Sequence, residues 1–283
     1  MTPAPHPLIG PEEVARRLND PALVLLDATF TLPSQGRQPA LDFEGAHLGN
    51  ARFFDIDTIA DRSSALPHML PDPEQFALEV GRLGIDNDKD IVIYDDNCYM
   101  ASARGWWMFR IFGHERVRVM DGGLHRWRQL GLPVTSSPLT PRPATFMPQF
   151  RPELVTDFET MRRLSEDGSR CIIDARPEGR FKGLEAEPRE GLRSGHIPGS
   201  QSLFFKRLLD PDTQCFLDPA SLSEMYKATG ALSEQSVVAT CGSGVTAAIL
   251  ALGLAILGRM DTAIYDGSWS EWGQPGPQPV AKT

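Results

Sequence analysis

Cysteine is scarce in this chain: four in 283 residues (Cys98, Cys171, Cys215 and Cys241), with no C-x-x-C pair. That count excludes the disulfide framework of small secreted domains, and the spacing lacks the usual ligand pattern of a structural zinc site. Long apolar runs are missing too. The most apolar stretch, Val245 to Gly258, has 14 residues, whereas a membrane-spanning helix needs roughly 20, so it is expected as a buried helix. Positive charge is in deficit. Lys and Arg number 28 against 37 Asp and Glu, a formal net charge of -9, with a pI of about 5.2. An acidic chain is a poor partner for nucleic acid or an anionic membrane surface. Any anionic substrate must then be captured by a local basic cluster. Met1 to Gly10 has no basic segment followed by an apolar run and no Arg-rich character, so neither a secretory signal nor a transit peptide is read there. The expected setting is a reducing cytoplasm.

What is present is globular: 41% of residues are apolar and 23% charged, and the length suits two ordinary domains. The chain also repeats itself once. Leu26-Asp27-Ala28 resembles Ile173-Asp174-Ala175, and Gly45-Ala46-His47-Leu48 resembles Ser194-Gly195-His196-Ile197. Asp121-Gly122-Gly123 with Trp127 resembles Asp266-Gly267-Ser268 with Trp272. The anchors keep their order at a nearly constant offset. Two copies are too few for a solenoid, so they read as two related domains. Between them, Pro133, Pro138, Pro141, Pro143, Pro148 and Pro152 predict an extended linker, because proline lacks a backbone donor and disfavours helix before it. The expected division is domain 1–138, linker 139–149 and domain 150–283.

Each copy reads as short apolar strands alternating with helices. In the second copy, strands are expected at 170–174, 236–240 and 262–265, with helices at 221–229 and from about Val245. In the first, a strand at 90–94 and a helix at 103–112 match them. That alternation predicts an α/β fold in which each domain has a mainly parallel sheet flanked by helices. Such sheets bind ligands at the carboxyl ends of their strands, and the loop after Thr240 lies at such an end.

That loop, Cys241-Gly242-Ser243-Gly244-Val245-Thr246, is the most informative segment. Two glycines let backbone N–H groups curl inward as an anion nest, and the helix N-terminus adds positive partial charge. Both favour a thiolate. Gly242-x-Gly244-x-x-Ala247 also fits a dinucleotide fingerprint, but such fingerprints open a domain on its first strand, and this strand comes late. A cysteine phosphatase needs an arginine where Ala247 stands. A buried structural cysteine leaves both glycines unexplained.

The run Cys241 to Ala247, followed by Asp266-Gly267-Ser268-Trp269-Ser270-Glu271-Trp272, resembles the 3-mercaptopyruvate sulfurtransferases, two-domain enzymes of the rhodanese fold. The likeness extends to Phe53-Phe54-Asp55-Ile56-Asp57, His68-Met69-Leu70-Pro71 and Gly195-His196-Ile197-Pro198-Gly199, and so to nearly the whole chain. It implies two tandem rhodanese-like domains and a persulfide carried on Cys241, cradled by Gly242, Gly244, Val245 and Thr246. It implies Arg180 and Arg189 as substrate-binding arginines, since a guanidinium fork grips carboxylates; the plain alternative is two solvated arginines paired with Glu185 or Glu187. It further implies a proton relay of Ser243, His68 and Asp57 across the domains. In the thiosulfate-using relatives the second and third loop positions are typically basic, whereas here they are Gly242 and Ser243. A neutral loop suits 3-mercaptopyruvate, whose charge lies away from the sulfur attacked.

No metal or organic cofactor is expected. The partners implied are the small-molecule sulfur donor and a thiol acceptor such as thioredoxin, or cyanide. The first copy aligns Asp95 with Cys241 and has no glycines after it, so that domain reads as inactive in sulfur transfer. His47 and His196, Asp27 and Asp174, and Trp127 and Trp272 recur in both copies and are assigned to the fold. Rival readings are a thiosulfate:cyanide sulfurtransferase, a non-catalytic rhodanese-like binding module and a nucleotide-binding oxidoreductase.

Overall fold

The structure, a computed structural model, describes residues 5–32, 35–233 and 235–283. Met1 to Ala4, the head of the stretch read for targeting signals, lie outside the described residues. The chain forms two compact units. Unit 1 comprises Met1–Asp61, Pro71–Arg151 and Asp210–Phe216; unit 2 comprises Arg62–Leu70, Pro152–Leu209 and Leu217–Thr283. Two short segments thus depart from a simple division at the Pro-rich stretch. No helix among the described residues is long and apolar enough to cross a membrane.

Unit 1 holds strands β1 (Leu8–Ile9), β2 (Leu23–Asp27), β3 (Arg52–Phe53), β4 (Asp90–Tyr94) and β5 (Val117–Met120), and helices α1 (Pro11–Arg16), α2 (Pro39–Gly45), α3 (Pro73–Arg82), α4 (Ser102–Ile111) and α5 (Gly123–Gln129). Unit 2 holds β6 (Val155–Thr156), β7 (Cys171–Asp174), β8 (Gln201–Ser202), β9 (Val237–Thr240) and β10 (Ala263–Tyr265), with α6 (Phe158–Asp167), α7 (Glu178–Lys182), α8 (Pro219–Ala228), α9 (Ala247–Ile256) and α10 (Ser268–Trp272). The sheet orders are β1-β5-β4-β2-β3 and β6-β10-β9-β7-β8, one topology used twice, and every pairing is parallel.

The central strands are apolar without alternation because both faces are covered. Ile91, Val92, Ile93 and Tyr94 are buried, as are Val237, Val238 and Ala239. The helices that follow, α4 and α9, are buried almost all round, so the 14-residue apolar run is a core helix. Register sets the strand ends level: Asp27 pairs with Tyr94 in unit 1, and Asp174 with Thr240 in unit 2. The loops after Tyr94 and Thr240 therefore leave the sheet at equivalent places.

The recurring residues do equivalent structural work. Trp127 Nε1 donates to Pro133 O at 3.0 Å and Trp272 Nε1 to Pro279 O at 2.9 Å. His47 and His196 form isolated antiparallel bridges with Thr135 and Ala281. The 139–149 stretch lies extended along unit 1. Ala144 N–H donates to Gly81 O at 2.9 Å, Gln149 N–H to Phe112 O at 2.9 Å, and the Phe146 ring is buried beside Phe76 and Phe109. A Cβ at Gly81 would lie 2.6 Å from Ala144 O, so only glycine admits this approach. Residues 179–189 are not all loop, because α7 forms their first turn. Phe181 supplies the reason, being buried and stacked on His196 at 3.9 Å.

One difference between the copies has a measurable cost. Asp174 is neutralised by Arg176, but the position equivalent to Arg176 in unit 1 is Thr29. Asp27 is buried with hydrogen bonds from Thr29 and Tyr94 and no cation. Burial pushes its carboxyl up to about 6 despite those bonds. A carboxyl that holds its proton more tightly when folded favours folding while protonated. Its contribution is therefore lost as pH rises from about 4 towards 6. Asp27→Asn should flatten the pH dependence of stability across that window and gain roughly 2–3 kcal/mol above it. Chemical denaturation of both proteins from pH 4 to 8 checks this, and parallel curves would refute it.

Candidate active site

Strand β9 delivers Cys241 directly from the core; the residue is 1% exposed. Gly244 turns the loop with φ 74, and α9 begins at Ala247. The turn entering α10 clamps the loop. Ser268 Oγ accepts the Cys241 N–H at 3.1 Å and donates to Tyr265 O at 2.8 Å. Trp269 N–H donates to Cys241 O at 3.0 Å and Ser270 N–H to Gly242 O at 2.8 Å, while Ser270 Oγ–H also reaches Gly242 O at 2.6 Å. Ser268 adopts φ 48, a left-handed conformation rare for a residue with a side chain. Its backbone is held there while its hydroxyl ties β10 to the loop.

Among the described residues, the backbone N–H groups of Gly242, Ser243, Val245 and Thr246 donate to no oxygen of the protein. Buried N–H groups are rarely left so. Unit 1 shows what such a loop can hold. There Asp95 stands in the cysteine's place, and its buried carboxylate accepts N–H bonds from Asn97 (3.2 Å), Tyr99 (3.0 Å), Ala101 (3.2 Å) and Ser102 (2.9 Å). The first copy fills its own cradle with an anion, whereas the second leaves donors unspent around a sulfur.

Positive charge reaches the loop from the segment after β7. Arg176 is 1% exposed and sits over the Trp269 ring at 4.1 Å. It bonds Asp174 at 2.7 Å, Glu187 at 2.8 Å and Gly195 O at 2.9 Å. The other oxygen of Glu187 holds Arg180, whose Nε lies 3.1 Å away. A Cβ on Gly242 would lie 3.3 Å from Arg180 Nη2 and 3.9 Å from Arg189 Nη1. Both arginines therefore converge on the loop, and Gly242 makes room for them. Arg180 pairs with Glu187, but in a buried cluster and not as a solvated surface pair. Among the described residues, no oxygen engages Arg189. Burial pulls its guanidinium below the ordinary value and Cys241 pulls it back up, which marks the two as electrostatic neighbours. Three guanidinium groups against the carboxylates of Asp174 and Glu187 leave one net positive charge for an anion. Sequence reading missed Arg176, named Glu187 only as a partner for solvated arginines, and gave Ser268 no role beyond the motif. The visible signal was the change from Thr29 to Arg176 between copies.

The relay residues divide. His68 belongs to unit 2, with φ 59, in the segment whose Leu70 N–H donates to Asp266 at 2.7 Å. Asp57 belongs to unit 1. Ser243 is buried in the loop, and its hydroxyl hydrogen-bonds no other described residue. The other cysteines lie elsewhere. Cys171 is buried in β7 beside Thr229 O at 3.3 Å, and burial pushes its thiol up. Burial, reinforced by Asp121, pushes Cys215 up. Cys98 sits in the Asp95 loop.

A twice-used five-stranded parallel fold, with one copy presenting a cysteine in an anion-ready loop, defines the class. The Rhodanese-like domain model matches residues 10–130 and 157–275, and the chain belongs to that family. Among its relatives, the human 3-mercaptopyruvate sulfurtransferase is 41% identical, over 94% of this chain and 91% of that protein. The mitochondrial thiosulfate/3-mercaptopyruvate sulfurtransferase 1 of Arabidopsis thaliana is 40% identical, over 97% of this chain and 78% of that protein. The crystal structure of SseA from Escherichia coli, a 3-mercaptopyruvate sulfotransferase, matches with a TM-score of 0.85 and 35% identity, covering 94% of this chain and 100% of that one. These likenesses support sulfurtransferase activity.

Glu187 is the buried carboxylate that two arginines share. Glu187→Gln should cost about 3 kcal/mol, because one partner of a buried ion network is removed and the guanidinium charges stay. The exposed neighbour Glu185→Gln should stay within about 0.5 kcal/mol. Denaturant melts of both variants decide it; equal stability would show the cluster to be solvated.

Proposed function

We propose that the protein transfers sulfur from 3-mercaptopyruvate through a persulfide on Cys241 to a thiol acceptor such as thioredoxin, or to cyanide, releasing pyruvate. The observation that carries this reading is the set of unspent N–H donors around Cys241, flanked by Arg180 and Arg189. Those donors suit an anionic sulfur, first the thiolate and then the persulfide, and the arginines suit a donor's carboxylate. The Cys241 thiolate attacks the donor sulfur; the S–S bond forms, the C–S bond breaks, and the electron pair leaves as the pyruvate enolate. The enolate takes a proton to give pyruvate, and the acceptor thiolate later removes the outer sulfur, restoring the Cys241 thiolate.

The proton is assigned to a relay of Ser243, His68 and Asp57. For Asp57 this assignment rests on the family resemblance alone, and for Ser243 on its place in the loop. The first domain, about 1–138, is assigned as the inactive copy, joined by the 139–149 stretch to a catalytic domain at 150–283; the Asp95 carboxylate occupying its own loop supports that assignment. A cytoplasmic setting is assigned from the sequence, whose four cysteines do not make the disulfide framework of a secreted domain. Thiosulfate is the competing donor, because the Arabidopsis relative is named for both. No loop residue from Cys241 to Thr246 is basic, and a Cβ at 242 would lie 3.3 Å from Arg180 Nη2, so a basic side chain there would crowd a guanidinium of like charge. The site thus takes its cations from outside the loop, where they meet a carboxylate better than the reacting sulfur.

Steady-state transfer from each donor tests the reading. 3-Mercaptopyruvate should have the higher kcat/KM, and Cys241→Ser should be inactive with both donors. Arg189→Gln should lower kcat/KM for 3-mercaptopyruvate roughly ten- to a hundredfold, the worth of a charged hydrogen bond. A preference for thiosulfate would overturn the donor assignment, and activity in Cys241→Ser would overturn the nucleophile.

A further inference from the structure

Unit 1 contains a cavity of about 530 Å³, lined by Phe43, His47, Arg52, Phe53, Leu139 and Pro141 among others. That volume is in the usual range for small-molecule sites. It lies apart from the equivalent of the Cys241 loop, on the side where β3, α2 and the extended stretch after Thr135 meet.

Three polar nitrogens of its lining residues lack partners among the described residues. Nε and Nη1 of Arg52 are buried and donate to nothing in the described protein. No carboxylate among the described residues is within ion-pair distance; Glu44, also in the lining, is exposed and does not reach Arg52. Burial alone pulls the Arg52 guanidinium below its ordinary value, with no opposing charge. His47 adds a second unmet group. It is 2% exposed, and its Nδ1 has no partner among the described residues. The repeat-equivalent His196 is satisfied: its Nδ1 bonds Phe181 O at 2.8 Å. Both histidines keep the same backbone bridge, so the fold alone does not demand the open nitrogen of His47. Two buried guanidinium nitrogens on a half-buried arginine, and a buried imidazole nitrogen, cost stability unless a ligand supplies partners.

We infer that this cavity is a second binding site, taking a small carboxylate with an aromatic or branched apolar body. One guanidinium balances one negative charge, so a monoanion fits and a phosphate dianion would bring charge that nothing offsets. The walls of Phe53, Leu139 and Pro141, with Phe43 stacked on His47 at 4.6 Å, favour an apolar body over a bare inorganic ion. Leu139 is 40% exposed at the rim, apolar surface that such a body would cover. The site is independent of sulfur transfer.

Calorimetric titration of the full chain with phenylacetate, with neutral phenylacetamide as control, tests it. Phenylacetate should bind saturably and the amide about tenfold or more weakly, as expected for losing a charged hydrogen bond. Arg52→Gln should weaken phenylacetate about tenfold, leaving the amide and sulfur transfer unchanged. Leu139→Glu, a surface change that places a like charge at the rim, should abolish phenylacetate binding and decides the matter if Arg52→Gln folds poorly. Arg189→Gln should bind phenylacetate as the wild type does. No saturation below about 10 mM, equal affinity in Arg52→Gln or Leu139→Glu, or loss of binding in Arg189→Gln would each overturn the proposal.

Discussion

The guanidinium of Arg176 is the interaction on which the second unit's site depends. It is a fully buried charge, and leaving such a charge without partners costs several kcal/mol. Its partners come from separate parts of the chain: Asp174 at the end of β7, Glu187 and Gly195 O in the loop beyond α7, and the Trp269 face at the start of α10. Satisfying one side chain therefore positions three segments. Glu187 then orients Arg180, and the Trp269 turn carries the N–H and hydroxyl groups that clamp Cys241 and Gly242.

The same constraint explains how two copies of one topology came to differ. With Thr29 in the position of Arg176, unit 1 lacks the arginine that partners the equivalent aspartate, and Asp27 is buried without one. Its loop after β4 is one residue longer than the loop after β9, with Cys98 and Tyr99 at positive φ where the second copy has Gly244. That loop closes on the Asp95 carboxylate. A carboxyl group supplied by the protein satisfies donors that in the second copy remain unspent. Spare polar capacity in unit 1 lies instead around Arg52 and His47.

Much of this was legible in the chain. The repeat anchors mark equivalent positions in equal sheets, and strand 90–94 and helix α4 fall within a residue of where apolar patterning places them. Cys241 stands out because a cysteine, two glycines and an apolar helix follow one strand. Other features were not legible. Arg180 and Arg189 were marked by resemblance alone, since nothing in the local sequence sets them apart from solvated arginines paired with Glu185 or Glu187. The membership of 62–70 in unit 2 and of 210–216 in unit 1 leaves no trace in local composition.

The sequence by itself determined the parallel α/β architecture, its duplication and the neutral loop that carries Cys241. Those are encoded in periodicity, glycine placement and local order, which act between near neighbours in the chain. Only the tertiary structure decided which charges are buried together, which loop donors remain unspent and which arginines face Gly242. Those outcomes depend on desolvation and on partners remote in sequence, such as Arg176 with Trp269 and Cys241 with Ser268, and no local pattern records them.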